Sequence, residues 1–356
     1  MRGWMGKFRS LFLFGALALV LSGCGVENLS ALKPKGYGSE LLFDLMMISI
    51  AIMLFVFVIV MAIYTFVLIK YRQKKGQEDF IPKQTEGNKA LEVIWTVIPI
   101  VLLLVLAVPT VQATFDLADE STKDDEGVTT IEVTANQFWW HFGYPNDEIS
   151  TSQDLYIPVG EKVYLDMKSS DVIHSFWVPS IAGKMDTNPG DNDNTMSLEA
   201  YEEGVYWGQC TELCGESHSL MDFRVIAVSP EEYEQWKEDM QNVDPEAEPQ
   251  TASAQEGQDL FENSCMGCHA IGDGAAGQGP NLTNFANRSK IAGILEPSKE
   301  NLVNWIVNPE EIKPGNQMPA NLVSEEEASK IADYLLELDH SDIGSESVSE
   351  QPQEEE

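Results

Sequence analysis

The chain has 356 residues, with 22 Lys+Arg against 57 Asp+Glu and a formal net charge of −35. That balance excludes a nucleic-acid backbone as partner, since such binding neutralises phosphates with Lys and Arg, and 44% hydrophobic residues exclude disorder throughout. At roughly 100–200 residues per domain the length fits about two folded units with appendages and excludes a single small module.

Positive charge is concentrated at the front: residues 1–89 hold 11 of the 22 Lys+Arg against six acids, so the acidity lies almost wholly beyond them. Five cysteines occur, Cys24, Cys210, Cys214, Cys265 and Cys268, one alone and two close pairs. They are too sparse for a disulfide-stapled domain, and each needs its own explanation.

Arg2, Lys7 and Arg9 precede an apolar run, Leu11 to Leu21, that ends in Leu21-Ser22-Gly23-Cys24. A cationic start, a short apolar stretch and small residues before the cut make residues 1–23 a signal peptide. The tetrapeptide resembles a bacterial lipobox, which implies cleavage before Cys24 and acylation of that cysteine, as by palmitate; an ordinary cleavage site with an incidental cysteine is the alternative. Cleavage would remove three cations and no acids, taking the formal charge to −38.

Residues 24–114 read as a transmembrane hairpin. The stretches at about 41–69 and 91–113 are almost wholly apolar and reach the roughly 20 residues that a bilayer core requires. Pro99 and Pro109 in the second are tolerated when a spanning helix packs against neighbours. Lys70, Arg72, Lys74, Lys75, Lys83 and Lys89 lie between the spans, which places the loop in the cytoplasm and both termini outside. Glu92 sits near the cytoplasmic end of the second span, where an ionisable residue is a functional candidate, although a solvated interfacial acid fits as well.

Residues 115–240 change to short β-rich runs, Thr129 to Ala135, Lys162 to Met167, Gly204 to Trp207 and Phe223 to Val228, separated by Gly, Pro, Asn and Asp. The spacing predicts an all-β sandwich or barrel, followed by a short helix over 230–240. Residues 241–256, rich in Pro, Glu, Gln, Ser and Ala, read as a flexible linker. Short amphipathic helical patterns then flank a Gly-rich loop over 257–340, and the acidic tail, 341–356, is expected to be disordered.

After a β-run comes Cys210-Thr211-Glu212-Leu213-Cys214-Gly215-Glu216-Ser217-His218-Ser219-Leu220-Met221, a C-x(3)-C-x(3)-H-x(2)-M pattern. Two thiolates, an imidazole and a thioether form a soft ligand set that selects copper over hard cations. A loop this tight lets both sulfurs bridge two metal ions, with a second imidazole drawn from elsewhere in the domain; His174 is the natural source, His141 being the other histidine there. A bare C-x(3)-C would equally fit a structural disulfide, a zinc knuckle or metal-free reactive thiols; the His and Met at fixed offsets favour copper.

This region resembles subunit II of the heme–copper oxygen reductases, the cytochrome c oxidases. The resemblance runs from the first span to about residue 235. It is carried by Glu92-Val93-Ile94-Trp95-Thr96 with Pro99, Asp171-Val172-Ile173-His174-Ser175, Val178-Pro179-Ser180, Lys184 with Asp186, Pro189-Gly190 and the copper loop. It implies a cupredoxin-like sandwich holding a binuclear CuA centre: Cys210 and Cys214 bridging the coppers, His174 and His218 on one copper each, Met221 a weak ligand and Glu212 contributing its backbone carbonyl. The matching glutamate's side chain also serves the family's magnesium site, shared with subunit I, so Glu212 is a candidate for both metals. Glu92 would lie near the mouth of a proton path. One departure concerns electron entry: the aromatic run is Gln137-Phe138-Trp139-Trp140, with Phe138 where many members place the tryptophan that receives electrons from cytochrome c. Trp139 or Trp140 would have to substitute, unless these rings simply fill core and surface.

Cys265-Met266-Gly267-Cys268-His269 is C-x-x-C-H, the c-type heme attachment sequence, with both thiols joined to the porphyrin and the histidine placed to ligate iron. A redox dithiol would need a βαβ setting that is absent. Cytochromes c commonly pair histidine with methionine, and between 257 and 340 the candidates are Met266, inside the motif, and Met318. Met318 is therefore the expected sixth ligand, with His340 its rival. The Met-Pro pair resembles the sixth-ligand segment of class I cytochromes c, which implies an all-α domain.

A heme c domain behind a CuA domain resembles the caa-type bacterial oxidases. The resemblance implies a multidomain membrane lipoprotein of the bacterial cell membrane, with its copper and heme domains on the extracellular or periplasmic side. Electrons would come from an external cytochrome c or a quinol–cytochrome c reductase, then pass through heme c and CuA to heme a of subunit I, where oxygen reduction is coupled to proton translocation; subunits III and IV are further expected partners. A copper-delivery protein, or a nitric oxide or nitrous oxide reductase component, is the alternative; the first leaves His218, Met221 and the heme motif unexplained. A quinol-oxidase subunit is disfavoured because that branch lacks the copper ligands.

Overall fold

The computed structural model of the chain describes residues 12, 14–15, 27–73, 76, 81, 86–190, 193–272 and 278–343. The expected lipid anchor, Cys24, and the tail from 344 onward lie outside the described residues.

Helices α1 (Tyr37–Tyr71) and α2 (Lys89–Leu117) extend beyond the expected spans, and their most apolar windows reach a mean hydropathy of 3.0 and 2.7. Both are apolar all round and leave side chains such as Phe57, Val60, Leu103 and Val105 exposed, which fits helices whose solvent is lipid. Asn88 starts α2 by accepting from the amides of Ala90 and Leu91, a side-chain cap on otherwise orphaned donors. Glu92 stands exposed in the first turn, where the helix dipole favours an acid.

The start of α1 is fastened to the next domain. Ser39 Oγ donates to the Ser180 carbonyl at 2.7 Å, Tyr201 Oη donates to Glu40 Oε2 at 2.6 Å, and Gly36 pairs with Ala200. That domain contains β1 (Thr130–Asn136), β2 (Trp139–Tyr144), β3 (Ile149–Ser152), β4 (Asp154–Pro158), β5 (Val163–Ser169), β6 (His174–Trp177), β7 (Lys184–Pro189), β8 (Asn194–Leu198), β9 (Gly204–Cys210) and β10 (Asp222–Val228). They pair in the order β3-β2-β1-β5-β7-β6-β9-β10-β4, with β8 also on β5; β1–β5, β5–β7 and β4–β10 are parallel, the other pairs antiparallel. The all-β reading therefore holds, as a barrel-like sandwich. Its interior is aromatic: Trp140 packs edge-on to Phe176 and tilted on Phe223 with ring centres 5.6 and 5.2 Å apart, and the edge-to-face pair suits the ring quadrupoles.

Helix α3 (Pro230–Gln241) opens with a Ser229/Glu232 capping box and lays Trp236 flat on Tyr156 at 4.5 Å. Helices α4 (Ala252–Ser264), α5 (Lys299–Val307), α6 (Pro309–Ile312) and α7 (Glu325–Leu335) then surround a second core containing Phe261, Leu302, Ile331 and Tyr334. This is the expected helical domain.

Two segments differ from the sequence expectation. The connecting segment is shorter than 241–256, because Gln241 closes α3 and residues 252–256 open α4 under a Thr251 cap. What remains is tied down: the Gln250 amide and Thr251 hydroxyl donate to the Glu337 carboxylate at 2.6 and 2.7 Å. A polar composition masked these tertiary partners. The tail also begins later than 341, since Ser341 is buried and Ile343 packs against the β-domain core.

Candidate metal and heme centres

His174 is the first residue of β6, Cys210 the last of β9, and the loop that follows carries the remaining predicted ligands back to β10. Strand pairing sets Phe176 opposite Cys210, which brings His174 to the loop across a long sequence separation. The ligand atoms of His174, Cys210 and Cys214 all lie within 4.8 Å of one another and are buried. Cys210 and Cys214 sulfurs stand 3.8 Å apart, far from the about 2.05 Å of a disulfide. His174 Nδ1 lies 3.9 Å from Cys210 Sγ, His218 Nδ1 3.6 Å from Cys214 Sγ, and the Met221 sulfur 3.9 Å from Cys214 Sγ. The Glu212 carbonyl oxygen lies 3.3 Å from Cys210 Sγ, while the Glu212 side chain is exposed. This soft, compact donor set fits a thiolate-bridged copper pair.

The electrostatics favour thiolate. The contact between the two sulfurs draws the Cys210 thiol well down, and the same contact with burial holds the Cys214 proton on, so the pair gives up one proton readily and keeps the other. Burial works against a charged His174, but hydrogen bonds to Asp171 and Cys210 outweigh it and raise its pKa.

Three positioning groups were not assigned from sequence. Asp171 Oδ1 lies 2.7 Å from His174 Nε2, leaving Nδ1 toward Cys210; such carboxylate–imidazole contacts fix the ring and its tautomer. Gln137 Nε2 donates to the Cys214 carbonyl. Trp140 is fully buried, with its ring edge-on to His174 at 6.2 Å and its Nε1–H on the Met221 carbonyl at 3.3 Å. Of the three aromatics singled out, Trp140 is therefore core, Phe138 is buried and Trp139 is half-buried beside His141.

In the helical domain α4 runs into a turn in which the amides of Cys268 and His269 both donate to the Cys265 carbonyl at 3.0 Å. His269 Nδ1 is 2.8 Å from the Pro280 carbonyl, which leaves Nε2 as the lone-pair nitrogen. Its ring lies flush on Gly279, where a Cβ would meet Cε1 at 2.8 Å. Burial lowers the His269 pKa and pushes Cys265 up to about 11. Met318 and Cys265 both pack on the second core. His340 is held by its amide to Asn284 Oδ1 at 2.9 Å, and its Nε2 is buried without a hydrogen-bond partner among the described residues. A turn carrying both thiols and a neutral, oriented imidazole fits covalent heme with histidine ligation.

Three family models match in succession: the transmembrane domain of cytochrome c oxidase subunit II over residues 30–113, the periplasmic domain of that subunit over 147–228 and cytochrome c over 254–339. Cytochrome c oxidase subunit 2 of Alkalihalophilus pseudofirmus is 49% identical over 343 residues, covering 95% of this chain and 99% of the relative. The chain belongs to the cytochrome c oxidase subunit II family. The subunit 2 of Bacillus sp. strain PS3 is 45% identical, covering 93% of this chain and 98% of that one. The crystal structure of the periplasmic domain of subunit II from Bradyrhizobium japonicum is 28% identical, covers 31% of this chain and 91% of that chain, and has a TM-score of 0.30.

Membership makes the chain a component of a heme–copper oxidase that works in complex with subunit I. It implies CuA copper in the β-domain and heme in the helical one. Two helices fit for spanning place it in a membrane with the β-domain outside.

Proposed function

We propose that this chain is the electron-entry subunit of a proton-translocating oxygen reductase. Electrons from an external cytochrome c or quinol–cytochrome c reductase would enter at the helical domain, cross to the β-domain and leave for heme a of subunit I, where oxygen becomes water. The observation that carries the reading is the buried convergence of His174, Cys210 and Cys214 within 4.8 Å, with His218 and Met221 against Cys214.

In this reading Cys210, Cys214, His174, His218, Met221 and the Glu212 carbonyl would hold the copper, the two thiolates as its shared ligands. Cys265 and Cys268 would hold heme c covalently, and His269 and Met318 would serve as its iron ligands. When bound, these groups supply one-electron redox chemistry. The chain supplies a rigid cage: β6, β9 and β10 fix the donor atoms, Asp171 holds the His174 ring, and the buried aromatic core keeps water away. Little then rearranges as charge changes, which keeps electron transfer fast. Glu212 faces a magnesium site shared with subunit I, Glu92 serves the proton path, subunits III and IV complete the complex, and acylated Cys24 adds a lipid anchor on the outer face of the cell membrane.

Metal and heme analysis of the purified full chain, with EPR, tests the assignment. The expected result is two coppers and one covalent heme per chain and a seven-line signal from an electron shared by two copper nuclei. A mononuclear copper spectrum would overturn it.

A further inference from the structure

The helical domain does not merely hang from its connecting segment; it is seated on the copper loop. The centre of this contact is Lys313, 3% exposed, which lies between α6 and Met318. Its ammonium donates at 2.7 Å to the Phe138 carbonyl of the β-domain and at 2.7 Å to the Ala292 carbonyl of its own domain. A buried ammonium is costly unless acceptors surround it, and here one acceptor comes from each domain. The next residue repeats the pattern: the Pro314 carbonyl accepts from Ser217 Oγ at 2.7 Å, beside His218. At a second point of the contact, buried Asp154 of β4 accepts from the amide and hydroxyl of Ser289 at 3.1 and 2.8 Å.

These contacts join into one bonded route. The Met318 amide donates to Asn316 Oδ1 at 2.8 Å, Asn316 Nδ2 donates to the Lys313 carbonyl at 2.7 Å, and the Lys313 ammonium reaches the Phe138 carbonyl. Phe138 is peptide-linked to Gln137, whose side chain donates to the Cys214 carbonyl. Electron tunnelling decays more slowly through covalent and hydrogen bonds than through open space, so such a route favours transfer between the two loops.

We propose that Lys313 is a positioning residue that locks the helical domain onto the copper loop, so that electrons cross between the domains in a permanently docked state and along this bonded route. The electron step rests on the function proposed above. Permanent docking replaces the diffusive search that a tethered domain would still make, and it gives Phe138 a place at the electron-entry point through its carbonyl rather than its ring.

The test compares the wild-type full chain with Lys313→Met, which keeps the stem and removes the donors; unchanged heme and copper spectra show that each domain stays folded. Two measurements are made. The first is hydrogen exchange at the Ser289 amide, which reports docking whether or not metals are loaded. It should be protected in the wild type and lose protection in the variant; equal protection in both, or none in the wild type, overturns the lock. Ser289→Ala, which removes a hydroxyl bonded to Asp154 and to none of the proposed ligands, should raise exchange at the Phe138 and Ser217 neighbourhoods, and no change there also overturns it. The second is the rate of heme-to-copper electron transfer after flash photoreduction. It should be independent of glycerol viscosity in the wild type, then fall about tenfold or more and become viscosity-dependent in the variant. Loss of Ser289 protection with an unchanged rate overturns the bonded route. A wild-type protein without the heme or CuA spectrum overturns the function proposed above, while the exchange measurement still decides the docking.

Discussion

His174 and Asp171 meet through a 2.7 Å contact between Nε2 and Oδ1, and that contact sets which imidazole nitrogen faces Cys210. Burial would raise the Asp171 carboxyl, but hydrogen bonds from His174 and from the amides of Val172 and Gln137 outweigh it and hold it below the usual carboxylate range. One side chain thus orients His174 directly and anchors Gln137, which in turn holds the Cys214 carbonyl.

Asp171→Ala should therefore weaken copper binding by about 10–100-fold, the usual cost of removing an outer-shell partner. Competitive copper titration of the full chain measures it, with the heme spectrum as an unaffected internal control. Wild-type affinity in the variant would mean that packing by Trp140 alone orients the ring.

Trp140→Phe should lower the stability of the β-domain by about 1–3 kcal/mol, combining a lost hydrogen bond with a small cavity. The Met221 carbonyl keeps the Cys210 amide at 3.3 Å as a second donor, so the site should still assemble. The measurement is the temperature at which thiolate–copper absorbance is lost, expected to fall while the EPR pattern at low temperature is retained. A changed EPR pattern would instead assign Trp140 a role in shaping the centre.

These two residues mark where sequence reading stops. The copper loop was legible because its ligands sit at short fixed offsets in one segment, and the heme turn for the same reason. His174 was legible because the domain has few histidines. Asp171 and Gln137 were not assigned roles, and Trp140 was read only as an electron-entry candidate, since their partners, His174, Cys214 and Met221, are brought in by strand pairing across the sheet. The domain contact was invisible for a further reason: Lys313 and Ser289 look like ordinary loop residues until the carbonyls and carboxylate they serve are in place. The connecting segment reads as linker by composition, and only the fold supplies Glu337 as its anchor.

Gly36→Ala should loosen the β-domain from α1. A Cβ at Gly36 would stand 2.3 Å from the Glu199 carbonyl oxygen and 2.6 Å from that of Ile181, both backbone atoms that cannot swing aside. Overpacking of this kind costs about 1–3 kcal/mol. The amides of Lys35 and Tyr201, which bond to the Ser180 and Lys35 carbonyls at 2.6 and 2.9 Å, should exchange faster with deuterium. Unchanged exchange would mean that the start of α1 shifts as a unit with its β-domain contacts intact.

Cys24→Ser should abolish incorporation of labelled palmitate while the protein stays in the membrane fraction, because α1 and α2 each exceed the roughly 20 residues a span needs. Release of the variant into the soluble fraction would overturn the two-span topology. Retained labelling would move the lipid to another residue.

Met318→Ala and His340→Ala separate the two candidates for the sixth position on heme iron. Met318 is half-buried on the same core as Cys265, with its amide fixed by Asn316. His340 has a buried Nε2 without a partner among the described residues, yet its amide is bonded to Asn284, a residue of the crevice that Asp154 and Tyr156 of the β-domain also line. A thioether raises the heme potential where a second imidazole would lower it. Met318→Ala should therefore remove the sulfur-to-iron absorbance band and lower the potential, and His340→Ala should leave both as in the wild type. The reverse pattern would assign the position to His340, and it would leave Met318 as a core residue whose loop serves only to carry Lys313 to the copper loop.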